Sequence, residues 1–267
     1  MRRLPAVAGQ FYYGTAARLK DQVERYISRD TVREKVIGAL SPHAGLMYSG
    51  SVAGAVYSSI SFPETFILLG PNHTGLGPPL SLRASGEWEI PTGILSIDED
   101  LAGAIAGELP AMSRDTLAHD FEHSIEVQLP FIACFSGNAR IVPITVKNAS
   151  LRDCKTIGEG IARAVKHSGR SVVIVASSDM SHYISDPLAR KLDNLALHEV
   201  LKLDPEGLYT VIVRQNISMC GFIPATIMLY AAKTLGALEA RLVKYATSGE
   251  VSGDYEHVVG YAGVVVK

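Results

Sequence analysis

The chain has 267 residues, a formal net charge of -2, 47% hydrophobic and 19% charged residues. That describes a globule large enough to bury one substantial core. It lacks the positive field that nucleic acid or an anionic membrane surface requires, so neither is expected as a partner.

The first residues carry Arg2 and Arg3 but reach Gln10 before an apolar segment accumulates, which is not the pattern of a secretory signal. Apolar runs such as 172–176 fall far short of the roughly 20 residues of a membrane helix. Cys134, Cys154 and Cys220 are odd in number and widely spaced, which fits a reducing compartment better than a disulfide framework. A cytoplasmic location is expected, and the oligomeric state is left open.

In chain order, residues 36–40 form a short aliphatic run read as a strand buried on both faces. A helix-like segment follows at 50–60, and a second buried strand at 66–69. Residues 80–90 offer antiparallel pairing. An acidic start opens a helix at 98–109, followed by a strand at 141–146, a helix at 151–167 and a strand at 172–176. Helical spacing returns at 187–203 and 224–235, and residues 241–266 suggest antiparallel pairing that ends in a strand at 261–266. This alternation predicts one α/β domain over 1–267, with a mixed, mostly parallel central sheet flanked by helices.

Chemistry-bearing residues collect just after these apolar runs. His43 follows the first strand through Ser41-Pro42, and His73 follows the second through Gly70-Pro71-Asn72. Ligands of open α/β sheets gather beyond the carboxyl ends of strands, so two such imidazoles are expected to converge. Asp179 and His182 follow the strand at 172–176. If that turn is helical, their spacing puts them on one side, with Asp179 orienting His182 as a general acid/base. The competing reading is a helix cap for the segment near Pro187.

Cys220 precedes the helix at 224–235, where the helix dipole favours its thiolate, making it the best ligand or nucleophile of the three cysteines. Cys134 and Cys154 are expected to be inert or structural. His123, in Glu122-His123-Ser124-Ile125-Glu126, is read as substrate-binding, as supporting a ligand, or as a satisfied structural histidine, with Ser124 or an adjacent polar residue a plausible helix cap. His119, His167, His198 and His257 are read as solvated or locally hydrogen-bonded. The chain carries no dinucleotide fingerprint, P-loop or Gly-x-Ser-x-Gly elbow.

Taken together, Pro5-Ala6-Val7-Ala8-Gly9-Gln10-Phe11-Tyr12, Pro42-His43-Ala44-Gly45 with Tyr48-Ser49-Gly50, Gly70-Pro71-Asn72-His73, Glu122-His123-Ser124-Ile125-Glu126, Ser177-Ser178-Asp179 with His182, and Met219-Cys220-Gly221 resemble the Memo family. The ordered set runs from the N-terminus to Cys220. The resemblance implies an α/β domain akin to the class III extradiol dioxygenases, non-haem iron enzymes that open catechol rings. It places His43, His73 and Cys220 where those enzymes hold Fe(II) with two histidines and a carboxylate, and His182 at their acid/base position. Cysteine in place of the carboxylate is a departure that shifts the metal preference. One transition-metal ion is therefore expected, Fe(II) or Cu first and Zn as a further candidate. The resemblance also implies redox and metal handling, or recognition of a phosphotyrosine peptide, so the expected ligand is a small molecule or a peptide.

Overall fold

The computed structural model describes residues 1–267. Its elements begin with β1 (Arg2–Arg3), α1 (Ala16–Glu24), β2 (Gly38–Ser41), α2 (Leu46–Ser59), β3 (Thr65–Pro71), β4 (Leu80–Leu82), β5 (Glu87–Ile90), β6 (Gly93–Ser96) and α3 (Glu99–Glu108). They continue with β7 (Ser113–Arg114), α4 (Leu117–Asp120), α5 (Leu129–Phe135), β8 (Arg140–Val146), α6 (Leu151–Ser168), β9 (Val172–Ser177) and β10 (His182–Ile184). The chain ends with α7 (Asp186–Leu201), α8 (Pro205–Gln215), α9 (Phe222–Leu235), β11 (Ala240–Thr247), α10 (Gly249–Ser252) and β12 (Val258–Val266).

The aliphatic runs lie side by side. β2, β9, β3 and β8 are adjacent and mutually parallel. Every residue of β2 and β3 is buried, which is why those strands lack polar alternation. β12 joins β2 antiparallel and pairs with β11, while β4 lies antiparallel to β8, so the sheet is mixed as expected. The strands β1, β5 and β6 form a separate small sheet. α9 packs on β2, β3 and β9, with α6 and α8 against it, whereas α2 packs on β2, β11 and β12. One continuous hydrophobic core runs through these layers. No helix is long and apolar enough to cross a membrane.

Local chemistry sets the element ends. Asp98 caps α3 by accepting from Leu101 N, and Ser150 with Asp153 forms a capping box at α6, which closes on Gly169 in the left-handed region. The helix expected over 187–203 stops at Leu201, because Leu203 takes a φ of 56° and Asp204 then caps α8 through Gly207 N. That second helix was legible in Asp204-Pro205, an N-cap followed by proline at the first helical position.

Two further expectations change. Ser124 caps nothing: its hydroxyl donates to the Pro71 carbonyl at 2.9 Å, and α5 begins five residues later. His119 is fully buried rather than solvated. Ser81 Oγ donates to Asp115 and so accepts from His119 Nε2–H at 3.1 Å. Burial, aided by Arg83 and Arg3, pushes the His119 pKa down to about 3.

Two predictions follow from this packing. An unfolded His119 takes up a proton below its ordinary value near 6.5, whereas the folded one stays neutral until about pH 3, so its contribution to stability is lost as pH falls through that window. Urea unfolding between pH 6 and 4.5 is expected to show a slope shallower by about 1.4 kcal/mol per pH unit in His119→Asn than in the wild type. A Cβ at Gly70 would sit 2.5 Å from Ser124 Oγ and 2.8 Å from Ile125 Cγ1. Gly70→Ala is therefore expected to cost about 1–3 kcal/mol in the same assay through overpacking.

Candidate metal centre

The three strands that end in chemistry-bearing turns are neighbours in the order β2, β9, β3, so their carboxyl ends open onto one place. His43 leaves β2, His73 leaves β3, and Asp179 leaves β9. A third imidazole arrives from a different element, because the loop before α5 delivers His123 between them. One ligand atom from each of His43, His73 and His123 lies within 4.8 Å of the others. The rings stand edge-on or stacked, with centroids 4.6–5.4 Å apart.

Hydrogen bonds fix which nitrogen His73 and His43 present. Glu122, almost wholly buried, accepts from His73 Nδ1 at 2.9 Å, from the His73 backbone N–H and from Ser124 N at 2.8 Å. His123 Nδ1 lies 3.4 Å from the same oxygen. Burial works to raise the Glu122 pKa, but the bonds from His73 and Ser124 outweigh it and hold the carboxyl at about 2. Ser177 has a single hydroxyl proton and gives it to the Ser124 carbonyl, so His43 Nδ1, 2.9 Å away, must donate to Ser177 Oγ. Gln128 completes this arrangement by donating to both Ser177 Oγ and the Pro42 carbonyl.

The His43 ring is buried, which drives its pKa well below the ordinary value, helped by repulsion from His123, His73 and His182. Burial also lowers His123. Burial therefore favours the neutral imidazole at His43 and His123, the form that ligates a metal.

Cys220 sits beside this group, with Sγ 3.3 Å from His43 Nε2 and 3.7 Å from the Asp179 carbonyl. Its close approach depends on Gly221, where a Cβ would stand 2.3 Å from the Ser177 carbonyl oxygen. The expected dipole-stabilised thiolate is not what the surroundings favour. Enclosure by protein, with the Asp179 carboxylate nearby, pushes the thiol pKa up.

Asp179 is buried and uses Oδ1 to accept from His43 N at 2.8 Å and Ala44 N at 3.2 Å. Burial raises its pKa, and those two bonds oppose the rise. The turn between Asp179 and His182 is not helical, and Asp179 caps no helix, since α7 starts after Ser185. Asp179 thus anchors the His43 turn. His182 is held by Ser218: its backbone N–H donates to Ser218 Oγ at 2.8 Å, and its Nδ1 donates to the Ser218 carbonyl at 2.9 Å.

Phe11 lies against His123 with ring centroids 4.7 Å apart, and its carbonyl accepts from Leu46 N at 2.7 Å. The N-terminal segment carrying it is tied down by the buried Glu126, which accepts from Ala6 N, Val7 N, Tyr12 OH and Arg3. A separate cavity of about 510 Å³, lined by Lys20, Arg29 and Cys134 among others, does not touch these groups.

The structure thus brings His43, His73 and His123 together, sets Cys220 against His43, and keeps Asp179 on the turn after β9 and His182 at the start of β10. Sequence reasoning did not single out Glu122, Gln128 or Ser177 for a role. Their signal was present, since Glu122, Ser124, Glu126 and Gln128 are polar residues inside a segment that otherwise reads as core.

Known proteins resemble this chain along its whole length. The family model described as Memo-like protein matches residues 3–265. A MEMO1 family protein of Methanosarcina barkeri is 42% identical over 267 residues, covering 99% of this chain and 100% of that protein. A MEMO1 family protein of Pyrobaculum aerophilum is 38% identical over 275 residues, with 98% of each covered. Among solved structures, an uncharacterized protein of Escherichia coli K12 superposes with a TM-score of 0.60 over 86% of this chain and 100% of its own, at 11% identity, a likeness of fold alone. By the family model over residues 3–265 and relatives of about 40% identity along its whole length, the chain belongs to the Memo family.

Proposed function

We propose that the chain is a metal-dependent oxidoreductase-like protein that holds one transition-metal ion on His43, His73 and His123, with Cys220 as the adjoining thiolate donor. The observation that carries this reading is the convergence of three imidazoles within 4.8 Å, with a sulfur 3.3 Å from one of them. The donor set fits an ion: imidazole suits Fe, Cu and Zn alike, and the sulfur moves the preference toward Cu, Zn or thiolate-ligated Fe. Fe(II) and Cu are the leading candidates and Zn the third. Metal binding at Cys220 releases the thiol proton, because only the thiolate ligates.

A bound Fe or Cu ion would supply Lewis-acid and one-electron chemistry. The chain's own residues supply the rest. His182, with its Nδ1–H given to Ser218, offers Nε2 as the proton acceptor or donor for a substrate at the mouth of the site. Asp179 holds the His43 turn in place through two backbone N–H groups. Phe11 covers one side of His123. A second reading, a non-enzymatic binding module for a peptide or small anion in the same crevice, draws on the protonated state that enclosure favours for Cys220, which leaves the sulfur uncharged without an ion.

Elemental analysis of protein purified without chelator separates these readings. The wild type is expected to carry about one ion per chain, and His43→Ala, His73→Ala and His123→Ala to lose it, while Cys220→Ser weakens affinity and changes the element retained. Equal metal content in wild type and all four variants would sink the site. Oxygen uptake with Fe(II) under reducing conditions, across a panel of catechols and related phenols, tests the chemistry. Turnover that falls by about 10²–10⁴-fold in His182→Ala, with metal content unchanged, is the expected result and excludes a purely binding role.

A further inference from the structure

We propose that Glu122 and Ser177 are the positioning residues of this centre, locking His73 and His43 as Nδ1–H tautomers so that Nε2 of each ring carries the lone pair. Neutral imidazole has one N–H and one lone pair, and whichever nitrogen donates to the protein leaves the other to ligate. The locks act by different chemistry on different rings.

At His73 the lock is a carboxylate that only donors reach. His73 N, His73 Nδ1 and Ser124 N all give hydrogen bonds to Glu122, and His123 Nδ1 stands 3.4 Å from it. Nothing that approaches Glu122 is an acceptor. A glutamine there must present its NH2 either to the His73 backbone N–H or to the side carrying Ser124 N–H and His73 Nδ1. Neither orientation satisfies every buried donor, so the carboxylate is required and the isosteric amide is not a substitute.

At His43 the lock is a relay. Tyr57 OH donates to Gln128 Oε1 at 3.0 Å, Gln128 Nε2 donates to Ser177 Oγ at 2.8 Å, and Ser177 gives its only proton to the Ser124 carbonyl. Ser177 Oγ therefore has acceptor capacity alone to offer His43 Nδ1. All four residues of this relay are buried, so water does not compete for the bonds. The short stretch 122–128 serves both locks, supplying Glu122 to His73 and holding Ser177 through Gln128 and the Ser124 carbonyl.

The proposal takes its purpose from the metal reading above, but its geometry stands without an ion. The test is long-range proton–nitrogen NMR of metal-free protein labelled with nitrogen-15 histidine, with His43 and His73 signals assigned by their loss in His43→Gln and His73→Gln. In the wild type both rings are expected to be Nδ1–H with Nε2 unprotonated. Glu122→Gln is expected to convert His73 to a tautomer mixture and leave His43 unchanged, and Ser177→Ala to do the converse. Co(II) affinity is expected to fall about 10–100-fold in each. Nδ1 found as the lone pair of either ring in the wild type, or both variants keeping both tautomers, overturns the proposal. If Glu122→Gln does not fold, the wild-type tautomers and Ser177→Ala decide it. A wild type with both expected tautomers that binds no Co(II) would overturn the metal reading while upholding the tautomer locks.

Discussion

Two carboxylates four residues apart, Glu122 and Glu126, are buried almost completely, and the rest of the site depends on how their lone pairs are satisfied. Removing a carboxylate from water costs several kcal/mol unless its oxygens are well hydrogen-bonded. Glu126 recovers that cost from Ala6 N, Val7 N, Tyr12 OH and the buried Arg3. Glu122 recovers it from the His73 turn and Ser124 N. The first carboxylate therefore fixes the N-terminal segment and the second fixes the imidazoles, and one short stretch of chain does both. Arg3 links them further, since its guanidinium also donates to the Glu122 and His119 carbonyls and stacks 4.2 Å over Trp88.

The parallel strands set the frame that this polar stretch completes. β2, β9 and β3 deliver His43, Asp179 and His73 to one edge, where their backbone groups no longer belong to a ladder and need other partners. Asp179 takes two such N–H groups, Glu122 takes another, and Ser124 and Gln128 take the carbonyls of Pro71 and Pro42. The side chains that satisfy the strand ends are also those that orient the rings. Disturbing one therefore alters backbone placement and imidazole chemistry together, and the glycines at 70 and 221 exist to let these layers touch.

Much of the frame was legible in the sequence because the signals are local. Runs such as 66–69 and 172–176 are buried on both faces and so carry no polar residues, and Pro42 before His43 and Gly70-Pro71 before His73 mark the strand ends. His119 misled for the opposite reason. Its buried state comes from Arg3, Ser81 and Trp88, which lie 31–116 residues away in sequence, and no periodicity around position 119 records them.

By itself the sequence determined the α/β alternation, the strand-end placement of His43 and His73, and membership of an ordered set of motifs, since hydrophobic period and turn chemistry act over a few residues. Only the tertiary structure decided that His123 stands with those two rings, that Cys220 meets His43 across 177 residues of chain, and that Glu122 and Ser177 choose the ring nitrogens. The physical reason is that a hydrogen bond's worth depends on burial and on which donors converge there. Convergence is a property of the packed chain and of no segment within it.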